Sequence, residues 1–220
     1  MEQVKRAAKG TLMAIGLFVL AQVPQIFLLM MKKSLVSDIV TALIFIVVTG
    51  LFIFIAKKRG YFSKNEERFS GRNIGIVFAG FILMRILAVV FTLIMQETTK
   101  NDQVIQEFTA NISTINLFLL LCVGAPVMEE IIFRGVIINE LFRRKDNQPI
   151  SLKMEIIGLV VSSIAFGSIH LSSDIISFLL YVTLGATMGT VYLLTKSLEC
   201  SIAVHFLNNF LPFLVLAFTK

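Results

Sequence analysis

Three apolar stretches of this chain contain residues that could do chemistry: Glu129-Glu130-Ile-Ile-Phe-Arg134, Phe166-Gly-Ser-Ile-His170 and His205-Phe-Leu-Asn-Asn209. A charge in a bilayer core costs at least ~2.5–3.5 kcal/mol on insertion scales, so such groups face a polar interior and mark function. Helical residues four apart share a face. Glu130 can therefore pair with Arg134, while Glu129 projects about 100° away from Glu130. One carboxylate is neutralised and the other is left for chemistry. Taken alone, this segment could also be a structural ion network. His205 and Asn209 lie one turn apart, so an imidazole and an amide can donate toward one point, as an oxyanion requires. A carboxylate near a second imidazole, that of His170, suits activation of water. Phe166 lies one turn before His170 and can pack against the ring or wall a site. A lone histidine in an apolar helix is more often a packing residue. These, however, are the chain's two histidines, and both share its C-terminal half with the acidic pair.

Other chemistries fit less well. HExxH and GxSxG are absent, and Ser162, Ser163 and Ser168 sit in no recognised nucleophile context. Glu129, His170 and His205 could form a His2Glu zinc site with an open position. Cys122 and Cys200 are isolated and read as small buried apolar residues.

The elements that must position these residues are membrane spans. The chain has 220 residues, 56% of them hydrophobic, and a mean hydropathy of +0.86, too apolar for an ordinary soluble domain. An all-α, polytopic transmembrane bundle of about seven spans (six to eight) is expected, as one domain over 1–220. The spans are Thr11–Met31, Leu35–Ala56, Ile74–Met95, Thr114–Phe142, Leu152–Leu171, Ile175–Thr195 and Cys200–Phe218. Most approach the roughly 20 residues that cross the hydrocarbon core. The last two are separated only by Lys196–Glu199, which makes six spans the main alternative. The net charge of +6 does not imply nucleic acid, because the cations alternate. Lys5, Arg6 and Lys9 precede the first span. Lys57, Lys58, Arg59, Lys64, Arg68 and Arg72 follow the second. Arg143, Arg144, Lys145 and Lys153 follow the fourth, and Lys196 the sixth. The other side holds Lys32, Lys33, Lys100 and Lys220. The positive-inside pattern predicts a cytoplasmic N-terminus. The first span has the outline of a signal peptide but no convincing small-x-small cleavage site, so a retained helix is expected.

Lys57–Asn73 is expected to hold an interfacial helix and Gln96–Ser113 a short one. Arg85, inside the third span, is expected to make a structural pairing. Pro126, after Gly124 and Ala125, gives no N–H to the helix ladder and predicts a kink.

The ordered set Glu129-Glu130-x3-Arg134, Phe166-x3-His170 and His205-x3-Asn209 resembles the CPBP family. That family takes in the type II CaaX prenyl proteases and the bacterial Abi proteins. The resemblance covers roughly residues 114–217. It implies an intramembrane endopeptidase with Glu129 as general base, His170 assisting, and His205 and Asn209 as the oxyanion hole. Glu130 and Arg134, with Phe166, would support the site. It implies no cofactor, with zinc as the alternative. Peptide or membrane-protein substrates in a bacterial cell membrane, reached from the cytoplasmic side, are expected. The rivals are a non-catalytic scaffold or bacteriocin-immunity protein of the same fold, and a proton-coupled transporter. His205 starts only about one and a half turns into its span, so for the site to assemble the turn at Lys196–Cys200 must lie within a cavity or inside the bilayer edge.

Overall fold

A computed structural model describes residues 2–32, 34–63, 66–109, 112–142 and 151–219. The expected cations Lys33, Lys64, Arg143, Arg144, Lys145 and Lys220, and the side chains of Lys5 and Arg6, lie outside the described residues. Among the described residues every regular element is helical. Seven of the described helices are long and apolar enough to cross a membrane. They are α1 (Glu2–Met30), α2 (Leu35–Arg59), α3 (Gly71–Met95), α5 (Thr114–Leu141), α6 (Leu152–Ile169), α7 (Ile175–Thr195) and α8 (Leu198–Phe218). Gln96–Ser113 holds the short helix expected of it, whereas the described part of Lys57–Asn73 between α2 and α3 holds only a single 3-10 turn in place of the expected interfacial helix. A 3-10 turn spans Glu66–Phe69, and the amphipathic α4 spans Lys100–Thr109.

Seven spans rather than six result because the helix really stops at Thr195. Lys196 takes a left-handed φ of 52°, and Ser197 restarts the chain as the N-cap of α8 by accepting the Cys200 N–H at 3.2 Å. Asp174 caps α7 in the same way, accepting from the N–H groups of Ile176 and Ser177 at 2.7 and 2.9 Å. Those donors, Ser177 first, hold its carboxyl below the usual carboxylate range.

The bundle turns large apolar residues outward: Leu12, Val19, Ile46, Leu93, Ile164 and Val215 are all exposed. In water such a surface would aggregate; facing lipid it is expected. The interior core runs through Met84, Phe133, Phe166, Tyr181, Met188 and Val204, contributed by α3, α5, α6, α7 and α8. Small residues let these helices approach. A Cβ on Gly80 of α3 would lie 2.7 Å from Val191 of α7.

The turn between α7 and α8 is largely covered by protein, although Lys196 itself is exposed. Ser197, Leu198, Cys200 and Ser201 are buried. The segment after α2 covers them. The Cys200 thiol reaches the Arg68 carbonyl at 3.2 Å, and Glu199 accepts the Ser63 N–H at 3.2 Å and faces Arg68 at 3.7 Å. Irregular backbone is tolerated at depth when protein surrounds it in this way.

Candidate active site

The central helix α5 is not uniformly α-helical. Leu119–Gly124 and Ile131–Leu141 are π-helical, on either side of the α-helical Ala125–Glu130. The kink expected at Pro126 thus takes the form of a change of register. The Ala125 N–H bonds five residues back, to the Leu120 carbonyl. The next such bond would run from residue 126 to Leu121, but proline has no N–H. The Asn209 amide of α8 takes the freed Leu121 carbonyl instead, Nδ2–H donating at 3.0 Å. A proline on one helix therefore anchors a candidate site residue on another.

Glu130 is the hub of a dry network. Its Oε1 accepts from Arg134 Nη1 at 2.9 Å, the i,i+4 pairing expected from spacing, and both side chains are fully buried. The same oxygen faces His205 Nδ1 at 3.0 Å, and Oε2 accepts from the Ser201 hydroxyl. Arg134 Nη2 also donates to the Gly185 carbonyl at 2.6 Å. Five residues thus tie α5 to α7 and α8.

Glu129 is placed differently. Its side chain is 18% exposed, and Oε2 has no hydrogen-bond partner. That oxygen faces His205 Nε2 at 3.9 Å. The His205 ring thus spans the two adjacent glutamates, one nitrogen toward each. A carboxylate oxygen only accepts, so Nδ1 is the donor to Glu130, and Nε2 is the ring atom presented to Glu129.

His170 ends α6. Its Nδ1 lies 2.8 Å from the Phe166 carbonyl, and its ring stacks on Tyr181 at 4.3 Å and 17°. Phe166 stands between the two histidines, 4.5 Å from His170 and 5.8 Å from His205 by ring centroids. It also lies 5.5 Å under the Arg134 guanidinium, a cation–π contact in a dry setting. Phe166 is therefore the wall between the imidazoles. A Cβ on Gly185 would sit 3.1 Å from it.

Several supporting residues carried no sequence signal. Ser201 is an unremarked serine in an apolar helix. Tyr181 holds His170 by stacking and is itself held by Thr99 Oγ1 at 2.7 Å, just before α4. Asn208 donates to Asn209 Oδ1 at 3.0 Å and accepts from Arg85. The structural pairing expected for Arg85 is present, with an amide rather than an acid as its hydrogen-bond partner. Ser162, near His170 in sequence, donates to the Phe133 carbonyl at 2.9 Å in the second π segment. Among the described residues no three His, Cys, Asp or Glu side chains are grouped as a metal site requires.

Residues 111–211 match the family model described as type II CAAX prenyl endopeptidase, Rce1-like. The chain is 30% identical over 136 residues to the membrane-embedded CAAX protease MroQ of Staphylococcus aureus (strain USA300), covering 59% of this chain and 53% of that one. It is 30% identical over 93 residues to the membrane peptidase YdiL of Bacillus subtilis (strain 168), covering 42% and 34%. The aligned region thus spans about half of one relative and a third of the other. No solved structure is a significant match.

Proposed function

The chain belongs to the CPBP family, and from that premise we propose that it is an intramembrane endopeptidase using a glutamate-activated water. The observation that carries this reading is the inequality of the two glutamates. Glu130 is saturated by Arg134, Ser201 and His205, whereas Glu129 keeps an unpartnered oxygen beside an imidazole. A buried acceptor left unpartnered asks for an explanation, and a catalytic base is one.

In the proposed reaction Glu129 takes a proton from water. The water oxygen bonds to the scissile carbonyl carbon, and the carbonyl π pair moves onto oxygen. That oxyanion accepts from His205 Nε2 and from the Asn209 amide, one of whose two hydrogens is committed to Leu121. Because Nδ1 already donates to Glu130, Nε2 donates only when both ring nitrogens carry hydrogen. Collapse of the intermediate breaks the C–N bond, and the amine leaves with the proton held by Glu129. His170, fixed by Phe166 and Tyr181, assists in orienting the water. We place the N-terminus in the cytoplasm and the site in reach of that side, from the distribution of cations. The substrate is a membrane-associated peptide or protein.

The test compares membrane peptidomes from cells with wild-type and Glu129→Gln protein. Peptides present only with wild-type protein support the reading. Identical peptidomes, with both proteins folded and inserted, refute it, and a phenotype surviving in Glu129→Gln assigns a scaffold instead.

A further inference from the structure

A cavity of about 580 Å³, separate from the candidate active site, opens between the ends of α1 and α2. Its lining has a pattern. Lys9, Met13 and Leu17 follow one another at single-turn spacing along α1. On α2, Phe54 lies one turn before Lys58, and Ile55 one turn before Arg59. The two helices run antiparallel, so both place cations at the same end and apolar side chains one to two turns deeper. Lys9 lies at the start of the first membrane-crossing segment, and Lys58 and Arg59 close the second. The cavity is therefore cationic at the membrane boundary and apolar within it.

The charges are not spent on each other. Arg59 pairs with Glu140 of α5 at 3.1 Å. Lys9 and Lys58 are exposed and join no ion pair among the described residues. Three cations and one carboxylate leave the mouth positive. A soluble phosphate would satisfy that charge but leave the apolar wall unused. A zwitterionic lipid would cover the wall but bring no net charge. An anionic phospholipid satisfies both, with its phosphate between Lys9 and Lys58 and an acyl chain along Met13, Leu17, Phe54 and Ile55.

We propose that this cavity binds one anionic phospholipid. The lipid bridges the inner ends of α1 and α2 beside the Arg59–Glu140 pair, and so braces the end of the helix that carries the glutamates. This site is independent of the catalytic reading.

The experiment is native mass spectrometry of the full chain from dodecyl maltoside, with phosphatidylglycerol, phosphatidylcholine of the same acyl chains, or glycerol 3-phosphate added separately. One phosphatidylglycerol should be retained, preferred over phosphatidylcholine by roughly tenfold or more, from two lysines near the surface. Lys9→Gln with Lys58→Gln should abolish the preference. Lys57→Gln removes a charge at nearly the same depth without touching the cavity, and should leave it intact. Met13→Trp, which fills the cavity without changing charge, should lower retention of phosphatidylglycerol, and it tests the site even if the double variant does not fold. Equal retention of the two lipids would overturn the proposal. So would an equal effect of Lys57→Gln, which would mean a diffuse surface charge. Glycerol 3-phosphate bound as well as the lipid would make it a soluble-phosphate site and overturn it too.

Discussion

Replacing each of two adjacent glutamates should give opposite profiles of folding and turnover. Glu130→Ala removes the acceptor of Arg134 at 2.9 Å, of His205 at 3.0 Å and of the Ser201 hydroxyl. Arg134 is fully buried and would keep the Gly185 carbonyl as its remaining partner. Breaking a buried ion pair from one side costs about 3–5 kcal/mol. For a chain of this size each kcal/mol moves the melting temperature by about 2–4 °C, so a fall of roughly 6–20 °C is expected. Glu129→Gln breaks no hydrogen bond at Oε2 and loses only a 3.9 Å approach to His205. Its cost should stay within about 1 kcal/mol, a shift of under roughly 4 °C. Yet this variant should lose turnover outright, because an amide cannot take a proton from water. The assay is melting in detergent monitored by far-ultraviolet circular dichroism, since the chain has no tryptophan, run beside cleavage of a substrate found in the peptidome comparison. Equal loss of folded protein in both variants would refute the division of roles. So would near-normal turnover in Glu129→Gln.

Further outcomes follow from the same geometry. Asn209→Ala should lower kcat by about 10²–10³ if its amide faces the oxyanion. Pro126→Ala restores an N–H that competes for the Leu121 carbonyl, so its kcat should fall between wild type and Asn209→Ala. Gly185→Ala presses a Cβ to 3.1 Å of Phe166 and should cost about 1–3 kcal/mol, whereas Gly50→Ala meets nothing within 4 Å and should not destabilise. Asp174→Ala should lower the melting temperature at neutral pH. Because the folded carboxyl titrates below its ordinary value, that difference should vanish as pH falls through the folded pKa. Activity should survive exhaustive chelation with no stoichiometric metal by elemental analysis; loss on chelation and recovery with zinc would replace the metal-free mechanism but keep the protease.

The spans and the Glu130–Arg134 pairing were legible because each depends on local spacing. Apolar runs of about 20 residues make helices, and i,i+4 geometry makes the pair. Ser201, Tyr181 and Asn208 were not legible, since their roles arise only when α7 and α8 pack on α3, α5 and α6. Nothing in the types serine, tyrosine or asparagine announces such a partner. The register change at Pro126 was half legible. The missing N–H is written in the sequence, but the side chain that uses the freed carbonyl lies 88 residues away. The depth of His205 looked like a conflict while the α7–α8 turn was set at the membrane surface. It disappears once Ser63 and Arg68 are seen to contact that turn, a tertiary contact with no local signature.

The network around Glu130 is a poor way to gain stability. Buried ion pairs are often matched or bettered by apolar side chains of similar volume, because desolvating two charges is so costly. Its value lies in geometry. On the proposed mechanism Glu129 stays unpartnered until substrate arrives, and such a carboxylate cannot position itself by its own bonds. Its neighbour can do so for it. Arg134 of the same helix and Ser201 and His205 of α8 fix Glu130, and that fixes the turn of α5 on which Glu129 stands. Helical geometry then sets Glu129 about 100° around the axis, while the same His205 ring that grips Glu130 presents Nε2 toward it. The adjacent acidic pair thus combines one residue that holds with one that is held out. This accounts for two costly glutamates in a membrane helix where the proposed chemistry consumes only one.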